Sequence, residues 1–343
     1  MEKLNLAIIG AGRIGQLHAN NILQMNTANL VAVSDVYLDH IKGSTIEKAV
    51  NYVTTDYTEI LEDKEVDAIL ICTSTDTHVQ IIVEAASAGK HVFCEKPISF
   101  SIEETKKALQ AVSEAGVKLQ IGFNRRFDKH FRKVYETVDA GVIGDPHLLK
   151  VTSRDPEPPP RSYIERSGGL FIDMTIHDFD MMRYLSGTNV KEVFVKGANL
   201  VDPEIGECGD IDTAIITLTF EDGSLGVIDN SRKADYGYDQ RVEVFGSQGA
   251  ASANNERLTN VEVSTNQSVV IEKPKHFFLD RYHDAFVEEL HSFVDAIITD
   301  KPVRCSGEDG FKAELLAHAA NLSLRENRSV KISEIEDKLF KTI

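Results

Sequence analysis

The first 120 residues alternate between two hydrophobic periods. Leu4–Ile9 is a short apolar run of strand type, Ile14, Leu17, His18 and Ile22 recur at helical spacing, and Leu30–Asp35 is a second strand-like run. Val66–Cys72 is almost continuously apolar, the pattern of a strand covered on both faces. Thr77–Ala88 then reads as a helix, Lys90–Cys94 as a strand, Ile102–Ala115 as a helix and Val117–Gly122 as a strand. Strand and helix in strict alternation predict βαβ units, and hence a doubly wound parallel sheet over residues 1–122.

Beyond Gly122 the texture changes. A helical stretch near Phe131–Ala140 and a strand over His147–Arg154 run into Asp155-Pro156-Glu157-Pro158-Pro159-Pro160, a stiff loop where regular structure stops. Strand patterns then dominate at 191–199, 211–220, 224–231 and 240–246, with short ones to about 272, and helical patterns close the chain at 282–298 and 308–325. Glu221-Asp222-Gly223 marks a turn between two of these strands, which predicts an antiparallel hairpin. The fold class expected is α/β, with residues 123–343 forming a second α/β domain around a largely antiparallel open sheet. No internal repeat or low-complexity segment interrupts the pattern.

Length and charge narrow the possible partners. A chain of 343 residues fits two domains. A formal net charge of −17, with no Lys/Arg-rich run to offset it, disfavours nucleic acid and anionic membranes. No apolar run is long enough to span a bilayer and the N-terminus opens directly into a strand, so a cytoplasmic location is the default expectation. Cys72, Cys94, Cys208 and Cys305 form no CxxC or Cys/His cluster, so neither a metal site nor a disulfide framework is expected. A small molecule is the expected ligand.

The clearest chemistry lies at the end of the first strand. Gly10-Ala11-Gly12-Arg13-Ile14-Gly15 is a GxGxxG run placed between a strand and a helix. Gly10 permits the tight turn, Gly12 lets the backbone approach a pyrophosphate, and Gly15 allows close packing of helix on strand. The helix N-terminus presents N–H groups to the phosphates, with Arg13 and Ile14 in the same loop. Asp35 ends the second strand, where a carboxylate accepts the ribose hydroxyls of NAD and repels the 2′-phosphate of NADP. NAD is therefore the expected cofactor, although Arg13 is placed to reach a phosphate. Ligands on such sheets bind beyond the carboxyl ends of the strands, which puts Thr73, Ser74, Glu95 and Lys96 on the cofactor side.

Three residues suit the oxidation of an alcohol: Lys96, in Glu95-Lys96-Pro97, and Asp173 and His177, whose i,i+4 spacing predicts one face of a single helix. A histidine, titrating near neutrality, can take the hydroxyl proton while an aspartate orients it. A lysine ammonium can stabilise developing alkoxide charge. Taken singly, each is better read plainly: Asp173 as a helix cap, His177 as a packed core histidine and Lys96 as a solvated lysine.

Taken together, GAGRIG, Asp35, Cys94-Glu95-Lys96-Pro97, Gly122-Phe123-Asn124-Arg125-Arg126-Phe127, the Gly168-Gly169 to His177 segment and the Phe245–Gly249 turn resemble the glucose–fructose oxidoreductase and inositol dehydrogenase family. Within it, Ser153-Arg154-Asp155-Pro156 and Tyr236-Gly237-Tyr238-Asp239 most resemble the bacterial myo-inositol 2-dehydrogenases. The resemblance implies an NAD-dependent dehydrogenase in which Lys96, Asp173 and His177 are catalytic, with His177 as base. It also implies that Arg126, Asp155, Tyr236 and Tyr282 contact ring hydroxyls, and that the chain forms a homo-oligomer, a tetramer by family habit. The implied reaction is oxidation of myo-inositol to 2-keto-myo-inositol. Scyllo-inositol, chiro-inositol or an aldose stay open as substrates, as does a non-catalytic NAD-binding regulator.

Overall fold

The computed structural model describes residues 3–340, which form two compact units. The first comprises the residues up to Phe127 together with Asp284–Lys312, and the second comprises Asp128–His283 with the residues from Ala313 onward.

The first unit is built on a six-stranded parallel sheet: β1 (Leu4–Ile9), β2 (Ala28–Ser34), β3 (Tyr52–Thr54), β4 (Ala68–Ile71), β5 (His91–Cys94) and β6 (Leu119–Ile121). Their order is β3-β2-β1-β4-β5-β6, so the strand order reverses between β1 and β4, where the glycine run leaves β1. All four residues of β4 are wholly buried, which explains their unbroken apolar character. The helix Ile102–Ala115 shows how locally the boundaries are set. Ser101 caps it by accepting the Glu104 backbone N–H at 3.3 Å, and Gly116 ends it at φ +66°. Leu290, Phe293 and Val294 of the helix His283–Ile298 pack into the same core as Leu6, Ile8, Leu70 and Phe93.

The second unit carries a seven-stranded sheet. Its strands are β7 (Pro146–Arg154), β8 (Val190–Ala198), β9 (Thr213–Phe220), β10 (Leu225–Ser231), β11 (Asp239–Gly246) and β12 (Gly249–Ala253), with a short hairpin of β13 (Glu262–Ser264) and β14 (Val269–Ile271) beside it and β15 (Val330–Lys331) at its edge. The order is β12-β11-β7-β10-β9-β8-β15, antiparallel except where β10 runs parallel to β7. The hairpin expected at Glu221-Asp222-Gly223 joins β9 to β10, with Gly223 at φ +89°. Buried and exposed positions alternate along β9, so one face of the sheet is covered and the other open.

One local expectation is corrected. Asp173 and His177 do not share a helix: Asp173 ends a one-turn segment, Leu170–Asp173, and His177 is the second residue of the next, Ile176–Ser186. Met174 and Thr175 form the junction. The reason lies in Thr175, fully buried, whose hydroxyl is 3.3 Å from the Leu170 carbonyl and donates to Asn230 Oδ1 at 2.7 Å on β10. Its backbone N–H also returns to Leu170. These bonds compete with the regular helical ladder and tie the junction to the sheet.

Candidate active site

In the first unit the glycine loop is shaped by backbone contact. A Cβ on Gly15 would sit 1.9 Å from the Gly10 carbonyl oxygen, and one on Gly10, at φ +96°, would meet Cys72 and Thr73 backbone at 2.6 Å. Nothing lies within 4 Å of the corresponding position on Gly12, which is exposed. The helix Arg13–Ile22 begins there with no side-chain cap and no acidic residue in its first turn. Its first N–H groups and positive dipole end are thus available to an anion. Arg13 is exposed and Ile14 half-buried beside them.

Asp35 closes the cradle. Its carboxylate accepts the Ala11 N–H at 2.6 Å and the Tyr37 N–H at 2.8 Å, and His40 Nε2 lies 3.8 Å away. The same side chain therefore holds the glycine loop and keeps further lone pairs for a ligand. Across the loop, the exposed Ser74 starts the helix Thr75–Ser87 without a side-chain capping bond, and Thr73 Oγ1 accepts from Thr77 at 2.7 Å. An open glycine face, an uncapped helix start and a carboxylate at the end of β2 fit a dinucleotide.

Lys96 follows β5, and its peptide bond to Pro97 is cis. The turn is anchored by a residue the sequence reasoning missed: His78, 1% exposed, places one ring nitrogen 2.8 Å from the Pro97 carbonyl and the other 3.2 Å from that of Thr73. Burial pushes the His78 pKa below its ordinary value, against the pull of the two carbonyls. Glu95, next to Lys96, pairs with buried His18 at 2.8 Å. Arg126 is also buried in this unit; its guanidinium donates to Asp309 at 3.0 Å and to the Arg304 carbonyl at 3.2 Å.

In the second unit Asp173 is clamped by side chains. Tyr163 donates to one carboxylate oxygen at 2.7 Å, and Arg232 to the other at 3.2 Å. Arg232 is 1% exposed and lies 3.7 Å from Asp210 as well, while Asp210 accepts the Leu170 N–H at 3.0 Å. Sequence reasoning missed Arg232, Asp210 and Tyr163, which no local motif marks. His177 is half-buried, and the residue after it, Asp178, is fully buried and accepts from Asn230 at 2.8 Å. Asn230 thus bonds to Thr175 on one side and Asp178 on the other, fixing the backbone on both sides of His177.

The remaining candidates fall into different settings. Asp155 is half-buried just past β7, its N–H on the Ser231 carbonyl at 2.9 Å. Tyr236 is exposed and lines an open polar pocket of about 440 Å³ with Asp239, Arg241 and Asn255. Its hydroxyl donates to Asp239 and accepts from Arg154 at 3.0 Å. Burial pushes the Asp239 carboxyl up, but Arg241, Tyr236 and Asn255 outweigh it and hold the group below its ordinary value. Tyr282 is 1% exposed, packed on Tyr238 and Phe131, with Arg281 over its ring and its hydroxyl 3.4 Å from Gln240. It is the most deeply buried of these candidates.

Comparison with known proteins agrees with this geometry. Residues 4–123 match the model of the oxidoreductase family NAD-binding Rossmann fold, and residues 131–252 that of the GFO/IDH/MocA C-terminal domain. The chain is 54% identical to an uncharacterised oxidoreductase of Bacillus subtilis, over 99% of both chains. It is 49% identical to the myo-inositol 2-dehydrogenase of Thermotoga maritima, over 97% of this chain and 99% of that one. The crystal structure of scyllo-inositol dehydrogenase from Lactobacillus casei with bound NAD(H) and scyllo-inositol superposes with a TM-score of 0.90 at 31% identity, covering 97% of this chain and all of that one. Among the described residues no helix is long and apolar enough to cross a membrane. A glycine cradle on a parallel sheet, a Glu-Lys-Pro turn, and matches spanning both units make this chain a member of the GFO/IDH/MocA family of oxidoreductases, with an NAD-binding Rossmann fold.

Proposed function

We propose that the protein oxidises myo-inositol to 2-keto-myo-inositol with NAD as acceptor. Residues 1–122 would bind the cofactor, through Gly10, Gly12, Arg13, Ile14, Gly15, Asp35, Thr73, Ser74, Glu95 and Lys96. Residues 123–343 would supply most of the substrate contacts. When bound, the nicotinamide supplies the acceptor for the hydride. Lys96 donates a hydrogen bond to the reacting oxygen and favours its negative charge. His177 takes the hydroxyl proton, and Asp173 orients it. The observation that carries the reading is the clamp on Asp173, since Tyr163 and buried Arg232 each hold one oxygen of the carboxylate and fix its place.

Asp155 and Tyr236 remain proposed partners of ring hydroxyls. Arg126, whose guanidinium pairs with Asp309, and Tyr282, whose hydroxyl lies 3.4 Å from Gln240, are the further proposed partners. Relatedness favours myo-inositol, because the Thermotoga enzyme is 49% identical, against 31% for the scyllo-inositol dehydrogenase. The bound scyllo-inositol of that structure keeps scyllo-inositol as the second reading. Leu225, Phe245 and Leu148 stand in one row across the open sheet face, which supports self-association, a tetramer by family habit, readable by light scattering.

Initial rates of cofactor reduction with NAD or NADP, across myo-, scyllo- and chiro-inositol, glucose and xylose, test the reading. Turnover with myo-inositol and NAD above all other pairs is expected. Preference for another polyol overturns the substrate, and preference for NADP overturns the role of Asp35.

A further inference from the structure

Next to Lys96, a buried polar cluster joins Glu95, a proposed cofactor contact, to His18 and Glu289, which neither the cofactor cradle nor the Asp173 clamp uses. His18, Glu95 and Glu289 each place a nitrogen or oxygen within 4.8 Å of the others. His18 and Glu289 are 0% exposed. His18 Nε2 is 2.8 Å from Glu95 Oε1, and its ring meets Phe93 and Phe286 edge-on at 5.2 and 5.9 Å. Gly122 passes so close that a Cβ there would lie 3.1 Å from the Glu95 carboxylate. Gln120 donates to the backbone carbonyl of Glu289 at 2.8 Å, while neither side-chain oxygen of Glu289 has a hydrogen-bond partner among the described residues.

An ionised carboxylate without hydrogen bonds is costly in such surroundings, and a second one beside Glu95 adds like-charge repulsion. The titratable groups facing Glu289 are Glu95, His18 and the Cys72 thiol, none of them a permanent cation. The least costly way to keep Glu95 charged and paired with His18 is to leave a proton on Glu289. We propose that Glu289 is a positioning residue held as a neutral acid, which lets Glu95 remain ionised on His18 and so fixes the turn that presents Lys96. Burial, followed by the charge of Glu95, pushes the Glu289 carboxyl well above the usual range, in the same direction.

The proposal rests on the reading of Lys96 as catalytic, and two measurements keep them apart. Infrared difference spectra of wild type against Glu289→Gln, at neutral pH, report the protonation state directly. A protonated-carboxyl band present in wild type and lost in the variant is expected; its absence from wild type overturns the proposal. One equivalent of divalent metal in purified wild type, lost in the variant, also overturns it, since a histidine and two carboxylates form a possible donor set. In turnover, Glu289→Gln is expected to keep the wild-type kcat and pH profile, being neutral and of the same shape. Glu289→Lys sets a cation against Glu95 in place of a neutral acid and draws the carboxylate away from His18, so it should lower kcat by about tenfold or more with NAD affinity retained, because small displacements of a reacting group are expensive. A folded Glu289→Lys enzyme with wild-type kcat overturns the positioning role. A fully active Lys96→Ala enzyme would instead sink the reading of Lys96, and the infrared band would still decide the state of Glu289.

Discussion

The glycine loop of the first unit and the Asp173–His177 junction of the second solve one problem by opposite means. Both hold polar groups in fixed positions. In the loop the backbone does the work: Gly15 and Gly10 let chain segments touch, Gly12 stays open, and Asp35 ties down two N–H groups. At the junction side chains do it, with Tyr163, Arg232 and Asn230 reaching Asp173, Thr175 and Asp178 from far along the chain. Binding of a common cofactor can rest on a short local motif. Orientation of the Asp173 carboxylate rests on pairings between distant segments.

The contrast is tested most severely at the chemistry itself. Lys96→Ala or His177→Ala is expected to lower kcat by roughly 10²–10⁴-fold, the span of general acid–base and charge stabilisation, far more than either changes NAD affinity by titration. Equal loss of cofactor affinity would erase the division between the two regions. Next in size is Arg232→Met. It leaves Asp173 and Asp210 without their buried counter-charge, a class of change that costs about 3–5 kcal/mol, and chemical denaturation should show the loss. Little change in stability would mean that the clamp is not an ion-pair device.

Gly15→Ala tests the loop side. The added methyl must move backbone rather than a flexible side chain, and overpacking of this kind costs about 1–3 kcal/mol. Weakened NAD binding with turnover at saturating cofactor largely kept is the expected result, measured by titration and by initial rates. The smallest effect concerns Glu289. Its folded-state pKa is raised, so its favourable contribution is complete below the unfolded value near 4.3 and is lost as pH rises toward the folded one. The stability of Glu289→Gln relative to wild type should therefore grow with pH across that window, by at most about 1.4 kcal/mol per pH unit. A difference that does not vary with pH would contradict a protonated Glu289.

Much of the architecture is legible in the hydrophobic pattern because each element's period is local. The run 191–199 became β8 at Val190–Ala198, and the pattern at 282–298 became the helix His283–Ile298. The short strands β3, β12 and β15 lack the length to declare a period, and they form by pairing with a neighbour. The break at Met174–Thr175 was hidden for a similar reason. Nothing near Thr175 shows that its hydroxyl will meet Asn230, 55 positions away. Glu289 did leave a signal: it stands with Phe286, Leu290 and Phe293 on the apolar stripe of its helix, and a carboxylate on that stripe is a buried one. Arg232 and Asp210 left none.

The most direct test of the account follows the hydrogen that leaves the substrate. Myo-inositol deuterated at C2, incubated with the enzyme and NAD, should yield reduced cofactor carrying the deuterium together with the 2-keto product, both read by mass spectrometry. Reduced cofactor without deuterium, or no reduction at all under conditions where the protein binds NAD, would contradict oxidation of myo-inositol at that carbon.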